Sequence, residues 1–486
     1  MGAQRMGETT PRLTKTAMTP MHPDQQQDHT PLFFTEIGSI KGWKDHHVIR
    51  ATGIPYAIAK RYERPRETVL PEVPYPATQW SPACPQNPSG KSSALLGQDM
   101  MEGLKTDENC HHLSITMPDT PAPEGGWPVM VWIYGGSYTS GAGDAPIYDP
   151  ALLVRENRVI VVNINYRLGI LGFLGGYRDI PANLGLFDII AALQWTKKHI
   201  TAFGGDPENI TLFGQSAGGD AIAHLMLAEG VDHLFRRVII QSAPLGIRKG
   251  KTAMIRAMTR KAMTLPKTTG IRNILDMQTQ LILSMKRFGL KGGMPFGIQY
   301  GQAPLPLEKD ADTIWKERAG KWDVMIGWTD RETSLFVPFS PVLQSLPGIP
   351  LTGKAILEWL IKKTTDRIYR KPALALGRLL AAHNGNVYSY RISWGSDSNM
   401  VKAAHITDIA LLFSTETSWE RSAFGKEKTP GAIKEAGKKI RKIWTEFART
   451  GTLEEKSEIP GLIAYRLVKY PGNQHNSLHQ KNNTKA

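Results

Sequence analysis

The chain has 486 residues, of which 41% are apolar and 21% are charged, a balance typical of a globular protein with a large core. Its 59 lysines and arginines outnumber its 44 acidic residues, giving a formal net charge of +15, but the basic residues are spread along the sequence. The densest cluster, at 434–442, has the pattern of a helix with a solvated basic face, so we expect no nucleic-acid partner. No stretch approaches the roughly 18 apolar residues of a membrane-spanning helix, so we expect no membrane partner either.

The two ends of the chain differ in composition from the middle. Residues 1–31 are rich in Thr, Gln, Pro and Met, and residues 471–486 are also polar, so we predict two disordered tails around a single domain at 32–470. The start of the sequence lacks the apolar segment of a secretory signal, which predicts a cytoplasmic location. A later start, for example at Met21, would make secretion an alternative.

Strand and helix signals alternate through the middle of the chain. In chain order they are strands at Val129–Tyr134 and Val159–Ile164, a helix at Leu186–His199, a strand at Ile210–Gly214, a helix at Ala217–Leu227, and strands at Arg237–Gln241, Val324–Gly327 and Val387–Ile392. Apolar strands that alternate with helices predict an α/β fold, with a mostly parallel central sheet and helices on both faces. In such sheets the functional site lies beyond the carboxyl ends of the strands.

A G-x-S-x-G motif spans residues 214–218 and places Ser216 at its centre. The motif alone has little weight, because a glycine-rich chain can contain it by chance. Here a predicted strand precedes it and a predicted helix follows. That is the setting of the nucleophile elbow, where a strained turn lifts a serine hydroxyl out at the top of an α/β-hydrolase sheet. We therefore predict that Ser216 is a covalent nucleophile, the alternative being a plain strand–turn–helix connection.

A serine nucleophile needs hydrogen-bond donors aimed at the oxyanion that forms on the substrate carbonyl. The backbone amide of Ala217, at the start of the predicted helix, is one candidate donor. The loop after the strand at Val129–Tyr134 contains Gly136 and Ser137, whose amides are the others. A glycine-rich turn exposes its backbone to a substrate, although it can also occur without any such role.

A serine hydroxyl is a weak nucleophile without a base, which is normally a histidine held by a carboxylate. Four histidines lie far enough downstream of Ser216 to follow the order serine, acid, histidine. His475 and His479 belong to the polar end, His383 precedes the strand at Val387–Ile392, and His405 follows that strand in a loop. Elimination therefore predicts His405 as the base.

The acid should follow the strand at Val324–Gly327. Asp330 and Glu332 both lie there, and the spacing alone does not choose between them. Cys84 and Cys110 are the two cysteines of the chain. They are too few for a zinc or redox motif, so we expect no metal and no cofactor, and they are either two separate thiols or one disulfide.

Several segments of the chain match motifs of one family. The most specific are Asn165–Leu174 and Phe203–Gly219, and the others are Gly53–Ala57, Cys84–Gln86, Asp107–Cys110, Val129–Tyr138, Gly327–Ser334, Ala403–Ile409 and Trp444–Gly451. Together they run from about Thr35 to Tyr465 and resemble the type-B carboxylesterase family, which includes cholinesterases and bacterial para-nitrobenzyl esterases. The resemblance implies an α/β-hydrolase fold, a catalytic Glu at Glu332 and a catalytic His at His405. It also implies a disulfide between Cys84 and Cys110, which conflicts with a cytoplasmic location.

The chain departs from the family pattern at several positions. Ser137 replaces a glycine of the oxyanion loop, Thr333 replaces the glycine after the catalytic Glu, and Gln215 stands where Glu is common. The stretch from Glu332 to His405 is also short for the family. The segment between the two cysteines contains no Trp, the aromatic residue with which cholinesterases bind choline, so a cholinesterase is not expected.

These residues predict a serine carboxylesterase that hydrolyses small-molecule carboxylic esters through an acyl-enzyme intermediate. One alternative is a catalytically inactive binding protein on the same scaffold, but such proteins typically lack the nucleophile. Another is an amidase or lipase with the same triad, because the shape of the pocket decides that choice. The oligomeric state stays open.

Overall fold

The structure is a computed structural model, and it describes residues 30–88, 93, 95–395, 401–414, 419, 422–424, 429 and 431–470. The predicted C-terminal tail and all but the last two residues of the predicted N-terminal tail lie outside this range. No helix among the described residues has the length and apolar character needed to cross a membrane.

The described strands form two sheets. They are β1 (Leu32–Thr35), β2 (Gly38–Lys41), β3 (Trp43–Asp45), β4 (Val48–Pro55), β5 (Tyr75–Pro76), β6 (His112–Pro118), β7 (Trp127–Ile133), β8 (Ile160–Ile164), β9 (Gly205–Gln215), β10 (Arg237–Gln241), β11 (Asp323–Thr329), β12 (Val387–Ile392), β13 (Lys456–Ile459) and β14 (Ile463–Leu467). The small sheet has the order β1-β2-β5. The large sheet has the order β13-β14-β12-β11-β10-β9-β7-β8-β6-β4-β3.

The centre of the large sheet is parallel, and its edges are antiparallel. The run from β8 through β7, β9, β10 and β11 to β12 consists of parallel pairs, whereas β6, β4 and β3 on one side and β14 and β13 on the other pair antiparallel. Every residue of β7, β8 and β10 is buried. Since successive strand residues point to opposite faces, both faces of this central region are covered, as the apolar sequence runs predicted.

The described α-helices are α1 (Ala151–Asn157), α2 (Gly169–Phe173), α3 (Leu184–His199), α4 (Ala217–Leu225), α5 (Thr252–Ala262), α6 (Ile271–Met285), α7 (Ala311–Glu317), α8 (Pro341–Ser345), α9 (Gly353–Thr365), α10 (Lys371–Ala381), α11 (Thr407–Leu412) and α12 (Ala432–Thr450). A 3-10 segment covers Glu332–Phe339. Helix α4 packs against β9 and β10, and α12 packs against β7 and β9. These contacts hold the central strands between helical layers and leave their carboxyl ends to the connecting loops.

Candidate active site

Ser216 lies between the end of β9 and the start of α4, at the carboxyl edge of the sheet. Its backbone has φ 57° and ψ −121°, which is a strained conformation for a residue with a side chain. The amide of Ser216 donates to Gln241 O of the neighbouring strand at 2.9 Å. Close packing explains the glycine two residues later, because a Cβ on Gly218 would lie 1.9 Å from Ile133 O.

The loop that follows β7 contacts this turn directly. A Cβ on Gly135 would lie 3.0 Å from Ser216 Cβ, so no side chain fits there. The next three residues, Gly136, Ser137 and Tyr138, have φ of 104°, 57° and 61°, which turns the backbone sharply. The amides of Gly136, Ser137 and Ala217 donate to no acceptor within the described part of the chain. They are therefore free to bind an anion.

The imidazole of His405 and the carboxylate of Glu332 are in contact although 73 residues separate them. His405 Nδ1 lies 2.5 Å from Glu332 Oε2, and the amide of His405 donates to Glu332 O at 3.1 Å. Glu332 Oε1 accepts the amide of Thr329 at 2.8 Å. Glu332 is fully buried and His405 is 3% exposed. Both carboxylate oxygens are therefore occupied, and Glu332 holds the imidazole at Nδ1.

The second ring nitrogen of His405 faces the residue that precedes Ser216. Gln215 Nε2 lies 3.2 Å from His405 Nε2, and Gln215 is 1% exposed. With its proton on Nδ1, the imidazole accepts at Nε2 from the Gln215 amide. Ser216 Oγ makes no hydrogen bond to any described residue in this state. Catalytic hydrogen bonds are often long in ligand-free enzymes and tighten with substrate.

Two aromatic rings flank the other side of the imidazole. The ring of Tyr369 is 5.1 Å from that of His405 and is buried, while the ring of Phe336 is 6.1 Å away and 43% exposed. Phe336 follows Glu332 on the same 3-10 segment. Apolar walls of this kind exclude water from the polar pair, which strengthens their interaction.

Asp330, the other acid considered from the sequence, does not reach the imidazole. Its carboxylate is 3.6 Å from Arg391 Nε and about a third exposed. It lines a cavity of about 500 Å³, together with Trp328, Arg370 and other residues. Burial raises the pKa of Asp330, against the opposing effect of Arg391. The structure thus brings Glu332, and not Asp330, to His405.

Another acid is buried near His405 and Glu332 and was not singled out from the sequence. Asp408, three residues after His405 on α11, is fully buried, and its Oδ2 accepts from Gln241 Nε2 at 2.8 Å. Burial raises its pKa to about 6, and the charge of Glu332 adds to this effect. No local motif marks this residue, because its environment is formed by β10 and α12, which are distant from it in the sequence.

Cys84 and Cys110 are both fully buried free thiols. A hydrogen bond with the Cys84 thiol raises the pKa of Cys110 well above its usual range, and burial of Cys110 adds to this effect. Cys84 Sγ also accepts the amide of Leu168 at 3.2 Å. The two thiols are thus neighbours, and the disulfide that the resemblance implies stays a prediction. No group of three or more His, Cys, Asp or Glu in the described ranges could hold a metal ion.

Alkylation without reductant should separate the two states of this pair. We expect the native protein to resist alkylation, because both thiols are fully buried and out of reach of the reagent, and the unfolded protein to gain two adducts by intact mass. An unfolded sample that gains no adduct and gains two only after reduction would show a disulfide instead.

The comparisons with known proteins agree on one family. The sequence model of the carboxylesterase family matches residues 29–347. A probable N-octanoylanthranilate hydrolase of Rhodococcus erythropolis is 32% identical over 413 residues, which cover 83% of this chain and 89% of the relative. The para-nitrobenzyl esterase of Bacillus subtilis is 32% identical over 453 residues, covering 86% and 89%. A solved thermophilic PNB esterase superposes with a TM-score of 0.73 at 30% identity, over 88% of this chain and 93% of that one.

Proposed function

We propose that Ser216, His405 and Glu332 are the catalytic triad of this chain, which belongs to the carboxylesterase family and is a serine carboxylesterase with the α/β-hydrolase fold. The observation that carries the proposal is the 2.5 Å contact of His405 Nδ1 with Glu332 Oε2. The same imidazole contacts Gln215, the residue that precedes the serine held at φ 57°. A buried carboxylate fixes the tautomer of the imidazole and stabilises its protonated form.

In the proposed mechanism, Ser216 Oγ attacks the ester carbonyl carbon while His405 Nε2 takes the hydroxyl proton. The negative charge on the carbonyl oxygen is stabilised by the amides of Gly136, Ser137 and Ala217, each of which contributes on the order of 2.7–4 kcal/mol. The C–O bond of the ester then breaks, the alcohol leaves with the proton from His405, and the acyl group stays on Ser216. A water molecule, deprotonated by His405, attacks the carbonyl carbon of this acyl-enzyme. The bond from that carbon to Ser216 Oγ then breaks, His405 returns the proton to Ser216 Oγ, and the carboxylic acid is released.

We further propose that the substrates lack a positive charge. Gln215 places an uncharged amide beside the imidazole where the family commonly has Glu, and no Trp lies between Cys84 and Cys110. An amidase activity is the second candidate, because one relative is named for the hydrolysis of an N-acyl compound. The cytoplasmic location and the absence of a nucleic-acid partner also stay proposals.

A panel of p-nitrophenyl esters of increasing acyl length, with the matching p-nitroanilides, tests this proposal. We expect saturable turnover of the esters and much slower turnover of the anilides. Anilide turnover equal to that of the esters would favour the amidase. Absence of turnover with every substrate would favour a binding protein on the same scaffold.

Replacing Gln215 with Glu should move the acidic limb of the pH profile of kcat/KM upward by about one to two pH units. A carboxylate 3.2 Å from His405 Nε2 would stabilise the imidazolium, which cannot accept the serine proton. Activity at low pH should therefore fall, while activity at high pH should be retained. Gln215→Met is the matched uncharged control: it removes the hydrogen bond without adding a charge, so it should move the limb far less than Gln215→Glu does. An unmoved limb in Gln215→Glu would contradict the assigned contact.

A further inference from the structure

Asp220 is a buried carboxylate beside the proposed site that the triad mechanism does not use. It lies on α4, four residues after Ser216, and is 2% exposed. Its amide donates to Ser216 O at 2.9 Å, and its Oδ2 accepts from Tyr138 Oη at 2.7 Å. Its Oδ1 is buried without a hydrogen-bond partner among the described residues. Asp220 therefore links the helix that begins at the nucleophile to the loop proposed to hold the oxyanion.

Tyr138 is the loop residue that makes this link. It directly follows Ser137, is fully buried, and has φ 61°, which is unfavourable for a bulky side chain. Its carbonyl accepts the amide of Gly169 at 2.7 Å, and its ring lies 4.3 Å from that of Phe173. Its hydroxyl donates to Asp220. A loop with three successive left-handed residues persists only when its surroundings hold it, and this hydrogen bond is one such restraint.

A buried lysine lies near Tyr138, the partner of this carboxylate. Lys251 is 6% exposed, and its Nζ donates to Met294 O at 2.8 Å. Lys251 Nζ and Tyr138 Cε2 each lie 3.6 Å from the point where a Cβ on Gly297 would be, so they border the same space. Burial lowers the pKa of Lys251 to about 8, against the opposing effect of Asp220 and with Lys291 adding to the decrease. At neutral pH Lys251 thus carries a positive charge in the space beside Tyr138.

His224 completes the surroundings of Asp220 on α4. Its Nδ1 is 2.7 Å from Asp220 O and 3.6 Å from Asp220 Oδ2. Burial lowers the pKa of His224, so the ring is neutral at neutral pH and donates from Nδ1 to the carbonyl. The Asp220 carboxylate therefore remains available to the Tyr138 hydroxyl.

We propose that Asp220 is a positioning residue that fixes the oxyanion loop against α4 through Tyr138. The inference rests on the proposed function, since the proposed donors come from two chain segments: Gly136 and Ser137 from the loop, and Ala217 from the helix. Donors must lie about 2.7–3.1 Å from the oxyanion and be held in that position to within about 0.5 Å, so the two segments need a direct restraint.

Tyr138→Phe tests this inference because it removes only the hydroxyl. Loss of an oxyanion donor costs about 10²–10³ in kcat, and a misplaced donor should cost less, so we expect kcat to fall about tenfold. KM should stay within about twofold, because the donors act on the transition state. Normalising kcat to the number of nucleophiles labelled by a fluorophosphonate corrects for misfolded protein. Tyr388→Phe is the matched control: Tyr388 is equally buried, bonds Leu453 O at 2.8 Å near the amino-terminal end of β12, and should leave kcat unchanged.

A double-mutant cycle identifies the partner. Asp220→Leu should lower kcat as Tyr138→Phe does, and the double variant should be no slower than Asp220→Leu, whereas independent effects would multiply. Asp220→Asn keeps an oxygen that can accept from Tyr138 and should retain more kcat than Asp220→Leu. Multiplying effects, or wild-type kcat in Tyr138→Phe, would overturn this inference alone. Full turnover in Ser216→Ala would instead contradict the proposed function.

Discussion

Ser216→Ala should lower kcat by on the order of a millionfold and should abolish labelling by a fluorophosphonate probe. The alanine has no atom that can form the acyl-enzyme, and the contact of His405 with Glu332 is then left without a nucleophile to activate. The φ of 57° at this position costs free energy in any residue with a Cβ, so the substitution removes the hydroxyl without relieving the turn. Some hydrolysis above the rate in water should survive, because the proposed oxyanion donors remain.

Intact mass after probe treatment is the most direct measurement. The wild-type chain should gain one probe adduct, and a peptide map should place it on Ser216. Ser389→Ala is a suitable control, since Ser389 is a buried serine on β12 whose partners across the sheet are Ile326 and Arg466. Labelling of Ser216→Ala at wild-type stoichiometry would show that another residue is the nucleophile.

The strands of the central sheet could be predicted because a short run of apolar residues marks each of them. The predicted strand at Arg237–Gln241 and that at Val387–Ile392 have the bounds the structure gives them, and the others differ at their ends by a few residues. The structure extends the strand that ends at the nucleophile back to Gly205, through a polar stretch with no strand signal. The antiparallel edges of the sheet were not predicted, since their strands are short and their pairing depends on distant segments.

Contacts between distant segments account for most of what the sequence did not reveal. The basic cluster at 434–442 does form a helix, but Arg441 within it is fully buried and pairs with Glu156, which no periodicity would indicate. Gln215 was noted as a departure from the family, yet its contact with His405 appears only when β9 and the loop after β12 come together. The link between Tyr138 and Asp220 has the same origin.

Glu332→Gln should cost roughly four orders of magnitude in kcat, by analogy with the carboxylates of other serine triads. The amide of Thr329 donates to Glu332 Oε1 at 2.8 Å and will keep an oxygen in that position. The NH₂ group of the glutamine must then face His405 Nδ1, which becomes an acceptor. The imidazole proton moves to Nε2, and a protonated Nε2 cannot take the proton of Ser216 Oγ. The buried geometry is preserved, so KM and thermal stability should change far less than kcat.

Asp330→Asn is the matched control for this substitution, because Asp330 is the other acid at the end of β11. Its ion pair with Arg391 is 3.6 Å long and partly exposed, and such pairs contribute at most about 1 kcal/mol to stability. We therefore expect kcat of Asp330→Asn to stay close to wild type. If Asp330→Asn were the crippled variant and Glu332→Gln turned over normally, the acid would be misassigned, while the esterase activity and the roles of Ser216 and His405 would stand. Equal and modest losses in both would mean that neither carboxylate orients the histidine.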